Sequence, residues 1–426
     1  MSFPVFFLVF FSMCYLGVFF KIKSIEGKIT FFYFITFYLF GGFLSLLVIS
    51  KPQFFIPYSG VVVLNLSLWQ NLLYGLIVGC TPLLIIYILE FFIFNECSGG
   101  KGVVSTIKNK ERFFPYLCLL VFTIGLCVCF VDFNFSKIDF YDYTSWLRYR
   151  NSLNHSNLSL FSGKTLLFVS LISMSVYSLF KRKFFEAVIS YIFLLVSFSL
   201  VEYYVFASKL LIGNFLFSYI LFCLIRLGMK KTILLALIFL VLFLFFYFFN
   251  MGAFSGAYRV KQVFSPFFNS VCRFTLPIAY FIDFISRNQL DYKFYFDSLV
   301  VDRSSYVSPA VEVFKYVFHP ALQPKGVHGS VGVGLISHGF LNFGIWFLPK
   351  LLFEIAMIGS IYKYFIKPFI PLYLSMSIFS FLIFNVLNYD FVTILINPVS
   401  SLLPISVMCL LFGGLKKSKQ TLGDLL

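Results

Sequence analysis

The chain has 426 residues, of which 60% are hydrophobic and only 12% charged, and its formal net charge is +16. That balance excludes an ordinary soluble domain, in which about a quarter of residues are Asp, Glu, Lys or Arg. Apolar runs of about 20 residues cross roughly 30 Å of hydrocarbon as helices, so the composition predicts an all-α, polytopic transmembrane protein. It excludes a transmembrane β-barrel, whose strands alternate and are only about 10 residues long.

In chain order, hydrophobic periodicity and run length predict eleven spans at about 3–20, 29–50, 69–95, 113–131, 165–180, 184–206, 210–226, 232–250, 339–362, 369–388 and 396–414. Basic clusters fall in every second connection: Lys21/Lys23/Lys28, Lys101/Lys108/Lys110/Arg112, Lys181/Arg182/Lys183, Arg226/Lys230/Lys231 and Lys363/Lys367, followed by Lys416/Lys417/Lys419 in the tail. The positive-inside rule then predicts an N-terminus outside and a C-terminus inside, in the cytoplasm. The same rule accounts for the positive charge without a nucleic-acid partner. The first span is followed by lysines rather than by small residues at a cleavage site, so it reads as a retained helix and not a signal peptide.

On the outer side the expected connections are short except for 132–164 and 251–338. The second is the largest polar segment of a single integral membrane domain. It carries Arg259, Lys261, Arg273, Arg287, Lys293, Arg303, Lys315 and Lys325 on the side where basic residues are normally depleted, against Asp283, Asp291, Asp297, Asp302 and Glu312. Its apolar stretch at 263–285 predicts interfacial helices lying on the membrane. The nine cysteines have no metal-site spacing, and Cys272 alone falls in this loop, so neither a disulfide framework nor a metal site is expected.

Motifs of soluble enzymes are missing, including the dinucleotide and phosphate-binding glycine loops, which places any chemistry in the outer loops and helix mouths. Three features there can carry it. Lys209 stands at the outer mouth of the seventh span, where it can snorkel to headgroups or hold a phosphate. Arg259 and Lys261 follow the eighth span beside Gly252 and Gly256; an anionic ligand at the outer surface explains them, and so do anionic headgroups. The run at 324–347, PKGVHGSVGVGLISHGFLNFGIWF, holds six glycines, among them Gly334, Gly339 and Gly344, together with His328 and His338. Imidazoles there can move a proton near neutral pH. Within the spans, Lys350 and Glu354 are one helical turn apart and are expected to pair.

At this point the layout resembles the bacterial O-antigen polymerase (Wzy-type) family. Shared with that family are the polytopic chain, one large late periplasmic loop, and a basic residue after a small-residue pair at a mid-chain helix start. An arginine shortly after the next span and a glycine-rich re-entry are shared as well. Here these are AlaSerLys at 207–209, SGAYR at 255–259 and GLISHGFLNFGIWF at 334–347, with His328 and Gly339 at the family's spacing; the family has Arg where this chain has Lys209. The resemblance implies a GT-C-like fold in the bacterial inner membrane and polymerisation of undecaprenyl-diphosphate-linked oligosaccharides on the periplasmic face. It implies His338, His328 and Arg259 as catalytic residues and Lys209, Arg259, Lys261 and Arg273 around the diphosphate. It implies no cofactor and no metal, membrane lipids as surroundings, and room for a chain-length regulator protein as a partner. The competing reading is a lipid-linked oligosaccharide flippase, a transporter usually built from two similar halves. A membrane acyltransferase acting on sugars is a third.

Overall fold

The structure is a computed structural model that describes residues 3–50, 64–94, 113–130, 158–181, 210–228, 231–233, 237, 241, 271–288, 335–336, 339–340, 346–370 and 372–388. Every regular element among the described residues is helical. In chain order these are α1 (Phe3–Phe19), α2 (Ile25–Phe34), α3 (Gly41–Ser50), α4 (Leu68–Gly75), α5 (Thr81–Tyr87), α6 (Phe114–Phe130), α7 (Leu158–Lys181), α8 (Leu210–Leu227), α9 (Leu276–Asn288), α10 (Phe347–Ile361) and α11 (Leu372–Asn388).

Among the described residues, two continuous helical stretches are long and apolar enough to cross a membrane, Ile25–Ile49 and Leu68–Phe94. Each contains widened, π-type turns: Ile35–Phe40 joins α2 to α3, Leu76–Cys80 joins α4 to α5, and Ile88–Phe94 follows α5. Pro82 supplies a cause for the second. In a regular α-helix its ring collides with the carbonyl four residues earlier, at Val78, and the widened turn directly before it relieves that contact. Val9–Phe19, Phe114–Cys129, Thr165–Lys181 and Tyr373–Leu387 are shorter apolar helices.

Helix starts are fixed by local chemistry. Ser24 caps α2 by accepting from Gly27 N at 2.8 Å, and Glu26 in the first turn suits the positive end of the helix dipole. Ser67 and Gln70 form a reciprocal capping box on α4, with Ser67 N donating to Gln70 Oε1 at 2.6 Å. At the other end of a helix, Gly228 adopts φ 76° immediately after α8, the left-handed stop that favours glycine.

The chain divides into two compact units. The first comprises Met1–Ser98, Tyr258–Ser360 and Leu382–Ile396; the second comprises Gly99–Ala257, Ile361–Phe381 and Asn397–Leu426. Inside the first unit the two long helical stretches run antiparallel, with contacts at three levels. Lys23 N and Ser24 N donate to Glu90 Oε1 at 2.7 and 3.0 Å at one end. Leu64 N donates to Ile49 O at 3.3 Å at the other end, and Tyr74 OH donates to Gly42 O at 3.3 Å between the two, nearer to Ile49.

In the second unit α6 and α7 approach closely through small residues. A Cβ on Gly163 would stand 2.8 Å from Gly125 O and 3.0 Å from Cys129 N. One on Gly125 would meet Leu166 Cβ and Leu167 N at 3.1 Å. Buried hydroxyls line this interior: Ser170, Ser173, Ser175 and Ser178 on α7, and Ser375, Ser377 and Ser380 on α11. Ser218 of α8 hydrogen-bonds Ser380 at 2.9 Å, and Tyr362 OH lies 2.5 Å from Ser375 Oγ. Outward faces are apolar. Tyr116, Leu119, Leu120 and Ile124 form an exposed stripe along α6, and Phe10, Met13 and Leu16 one along α1. Apolar side chains share the interior with the hydroxyls, among them Leu167, Phe168 and Leu171 on α7 and Ile378 and Phe379 on α11.

α7 begins at Leu158, ahead of the expected start at 165. Gly163 and Lys164 look like a loop in the sequence, but Gly163 is a helical residue that lets α6 come close. The expected spans at 184–206, 232–250 and 396–414 fall wholly or largely outside the described residues.

Candidate functional site

The candidate site lies in the first unit, where part of the 251–338 segment packs against the two long helical stretches. Cys272–Phe274 form a tight 3₁₀ turn, and α9 follows after Thr275. Among the residues whose side chains are described, Val271, Cys272, Phe274, Thr275 and the stretch from Ile278 to Asp283 are all buried. This segment is therefore surrounded by protein rather than draped over it.

Specific contacts fix its position. A Cβ on Gly41 would stand 2.6 Å from Val271 O and 3.3 Å from Thr275 Oγ1, so the absence of a side chain at Gly41 lets this backbone approach. Ser45 Oγ and Thr275 Oγ1 hydrogen-bond at 2.7 Å, and both residues are fully buried. Phe274 packs edge-on against Phe37, with ring centroids 5.2 Å apart. At the far end of α9, Gln70 Nε2 donates to Ser286 Oγ at 2.6 Å, and Ser286 Oγ donates to Asp283 O at 2.8 Å.

The same helix touches the glycine-rich run. Phe281 of α9 packs edge-on on Phe340 at 6.0 Å, and Phe340 on Phe347 at the start of α10 at 5.5 Å. α9 is thus brought against helical residues 339–340, which in turn pack on the first residue of α10. Trp69 and Trp346, at the starts of α4 and α10, are 79% and 61% exposed. Indole rings at helix starts are the usual markers of a membrane–water interface.

Of the site residues expected from the sequence, Gly339 is described. It is helical, and an added Cβ would meet Phe347 Cβ at an ordinary 3.7 Å, so space alone does not require glycine there. Arg273 lies in the 3₁₀ turn, where only its backbone is described. His328, His338, Arg259, Lys209, Lys261, Gly334 and Gly344 lie outside the described residues.

Sequence reasoning missed two groups. Asp283, counted there as one acid among five offsetting a basic loop, is 3% exposed and sits one turn after Ala279 on the buried part of α9. Ser45, Thr275, Gln70 and Ser286 form the hydrogen bonds that hold α9, and nothing in their separate sequence neighbourhoods links them. Lys350 and Glu354 do pair within α10 as their spacing predicts, Nζ to Oε1 at 2.5 Å.

Elsewhere in the unit Glu90 is a buried carboxylate with an evident structural task. Besides Lys23 N and Ser24 N it accepts from Ser24 Oγ, so one side chain from the end of the second long stretch closes the N-terminus of α2. Among the described residues no three His, Cys, Asp or Glu side chains gather as metal ligands would. Compared with protein-family models, with curated proteins and with solved structures, the chain matches none of them.

Proposed function

We propose that the chain is a polytopic inner-membrane glycosyltransferase of about eleven spans that joins undecaprenyl-diphosphate-linked oligosaccharide repeats on the periplasmic face. The observation that carries this reading is the combination of alternating basic connections with one large, basic, late outer segment, whose motifs at 207–209, 255–259 and 334–347 resemble those of O-antigen polymerases. Two structural features support it. Exposed apolar stripes run along α1 and α6, and α9 from the large segment packs against Phe340 of the glycine-rich run.

In this reaction a sugar hydroxyl of one repeat unit attacks the anomeric carbon of the growing chain. A new glycosidic C–O bond forms, the C–O bond to the diphosphate breaks, and its electron pair leaves with undecaprenyl diphosphate. Arg259, Lys209, Lys261 and Arg273 supply the cations that stabilise charge developing on the leaving diphosphate. His338 or His328 takes the hydroxyl proton. A lipid-diphosphate donor arrives already activated, so neither a nucleotide site nor a metal enters the scheme.

The test is one gel of surface lipopolysaccharide from a strain lacking the gene. Molecules capped with a single repeat unit are expected. A surface with no repeat units at all, and precursor stranded inside, would reject polymerisation in favour of a flippase.

A further inference from the structure

Outer loops of membrane proteins ordinarily rest on the surface, and the apolar sequence at 263–285 by itself suggests helices lying there. The contacts of Val271–Asn288 point elsewhere. Within the first unit the antiparallel stretches Ile25–Ile49 and Leu68–Phe94 form a ruler of depth. The Ile49–Leu64 hydrogen bond and exposed Trp69 mark its outer end, Glu90 with Ser24 its inner end, and Tyr74 with Gly42 an intermediate level.

The turn Cys272–Phe274 does not sit at the outer end of that ruler. Its neighbours are Phe37, Gly41 and Ser45. From Gly41 to Ile49 is eight residues, about 12 Å at 1.5 Å per residue, and from Phe37 it is about 18 Å. In a hydrocarbon core of roughly 30 Å those distances reach the middle. α9 then climbs obliquely until Ser286, which is exposed, meets Gln70 in the first turn of α4.

We propose that Val271–Asn288 is a re-entrant, half-membrane element that starts near the mid-plane and returns to the outer face, locked at depth by Gly41 and by the Ser45–Thr275 hydrogen bond. The proposal rests on the reading of Ile25–Ile49 and Leu68–Phe94 as membrane spans. Irregular backbone is tolerated at such depth only where protein surrounds it, and that is the state of this turn: Val271, Cys272, Phe274 and Thr275 are buried, and Thr275 N donates to Cys272 O at 3.1 Å. Gly41 and Ser45, on a helix expected to be an ordinary span, become positioning residues. Their small side chains admit a second piece of backbone. The consequence for function is that the large outer segment has one wall inside the outer leaflet, beside the hydrocarbon chain of a lipid-linked substrate whose diphosphate and sugar lie above it at the headgroup plane.

The experiment uses the full-length protein in its own membrane, with the native cysteines replaced and single cysteines returned. Thr275→Cys should resist a membrane-impermeant maleimide in intact cells with a permeable outer membrane, reacting at least about tenfold more slowly than Ser286→Cys, at an exposed position. That factor corresponds to about 1.4 kcal/mol of protection against local opening. In a second arm, Ser45→Cys with Thr275→Cys should join on oxidation. After cleavage at a protease site engineered into 101–112, the two fragments should stay together until reduced. Gln70→Cys with Ser286→Cys reports the outer end in the same way. Equal labelling of Thr275→Cys and Ser286→Cys, or joining of the outer pair without the inner one, would overturn the proposal. Release of the whole protein by alkaline carbonate is a distinct result that would instead overturn the membrane reading beneath it.

Discussion

Replacing Gly163 by alanine tests the close contact of α6 with α7. The added Cβ would meet Cys129 Sγ, Gly125 O at 2.8 Å and Cys129 N at 3.0 Å. Two of these three atoms belong to the backbone of α6, so a side-chain rotation cannot relieve the overlap. α6 and α7 must separate by some tenths of an ångström along the contact. Overpacking of this kind costs about 1–3 kcal/mol, which is roughly 5- to 150-fold in the unfolding equilibrium. Gly17 in α1 is the internal control, because a Cβ there would meet nothing within 4 Å. Removing glycine from a helix interior without steric cost stabilises by roughly 0.5–1 kcal/mol. The two substitutions are chemically identical and should move stability in opposite directions. Thermal denaturation of the purified protein in a mild detergent, followed by fluorescence or by loss of monodisperse material, reads both. A Gly163→Ala protein at least as stable as wild type would refute the reasoning, since no other glycine contact of the second unit is tighter among the described residues.

Other perturbations have equally definite signs. Glu90→Ala orphans Lys23 N, Ser24 N and the Ser24 hydroxyl at the start of α2, each lost partner costing about 1–3 kcal/mol where water cannot replace it. Denaturation in detergent should show a clear loss for Glu90→Ala and a smaller one for Glu90→Gln, which keeps an acceptor oxygen; equal stability of all three proteins would remove the clamp from the account. Lys350→Met leaves Glu354, 6% exposed at its side chain, without that cation and should cost roughly 1–3 kcal/mol, the lysine's partial exposure moderating the effect. The double variant Lys350→Met/Glu354→Leu should recover part of the loss in the same assay, and no recovery would count against the pair. Arg259→Ala should abolish long polysaccharide chains at normal protein level, read on a lipopolysaccharide gel beside an immunoblot; an unchanged ladder would remove Arg259 from the site.

The helical character of the chain and the approximate positions of many elements were legible because hydrophobic run length is a local property. The expected 29–50, 69–95 and 113–131 lie within a few residues of the observed helical stretches. The Lys350–Glu354 pair was legible for the same reason, being an i, i+4 contact. What escaped was non-local. Glu90 reads in sequence as a polar residue near the end of a span, and its partners Lys23 and Ser24 lie in a separate cluster 67 and 66 residues away. Gly163 beside Lys164 has the appearance of a turn, whereas the glycine is there because α6 occupies the space of its side chain. Asp283 counted as one of five acids in a basic loop, and its side chain is buried. Ser45 and Thr275 are unremarkable hydroxyls until a separation of 230 residues is closed. Of the expected site residues, the structure brings the neighbourhood of Gly339 to α9, and the histidines and most of the cations rest on the sequence alone.

The central claim, that this chain polymerises lipid-linked sugars on the outer face of a membrane, is tested most directly with purified protein in proteoliposomes supplied with undecaprenyl-diphosphate-linked repeat units. The account predicts oligosaccharides of two or more repeats, with undecaprenyl diphosphate released for each linkage formed. Movement of single repeat units across the bilayer without any chain growth would contradict it.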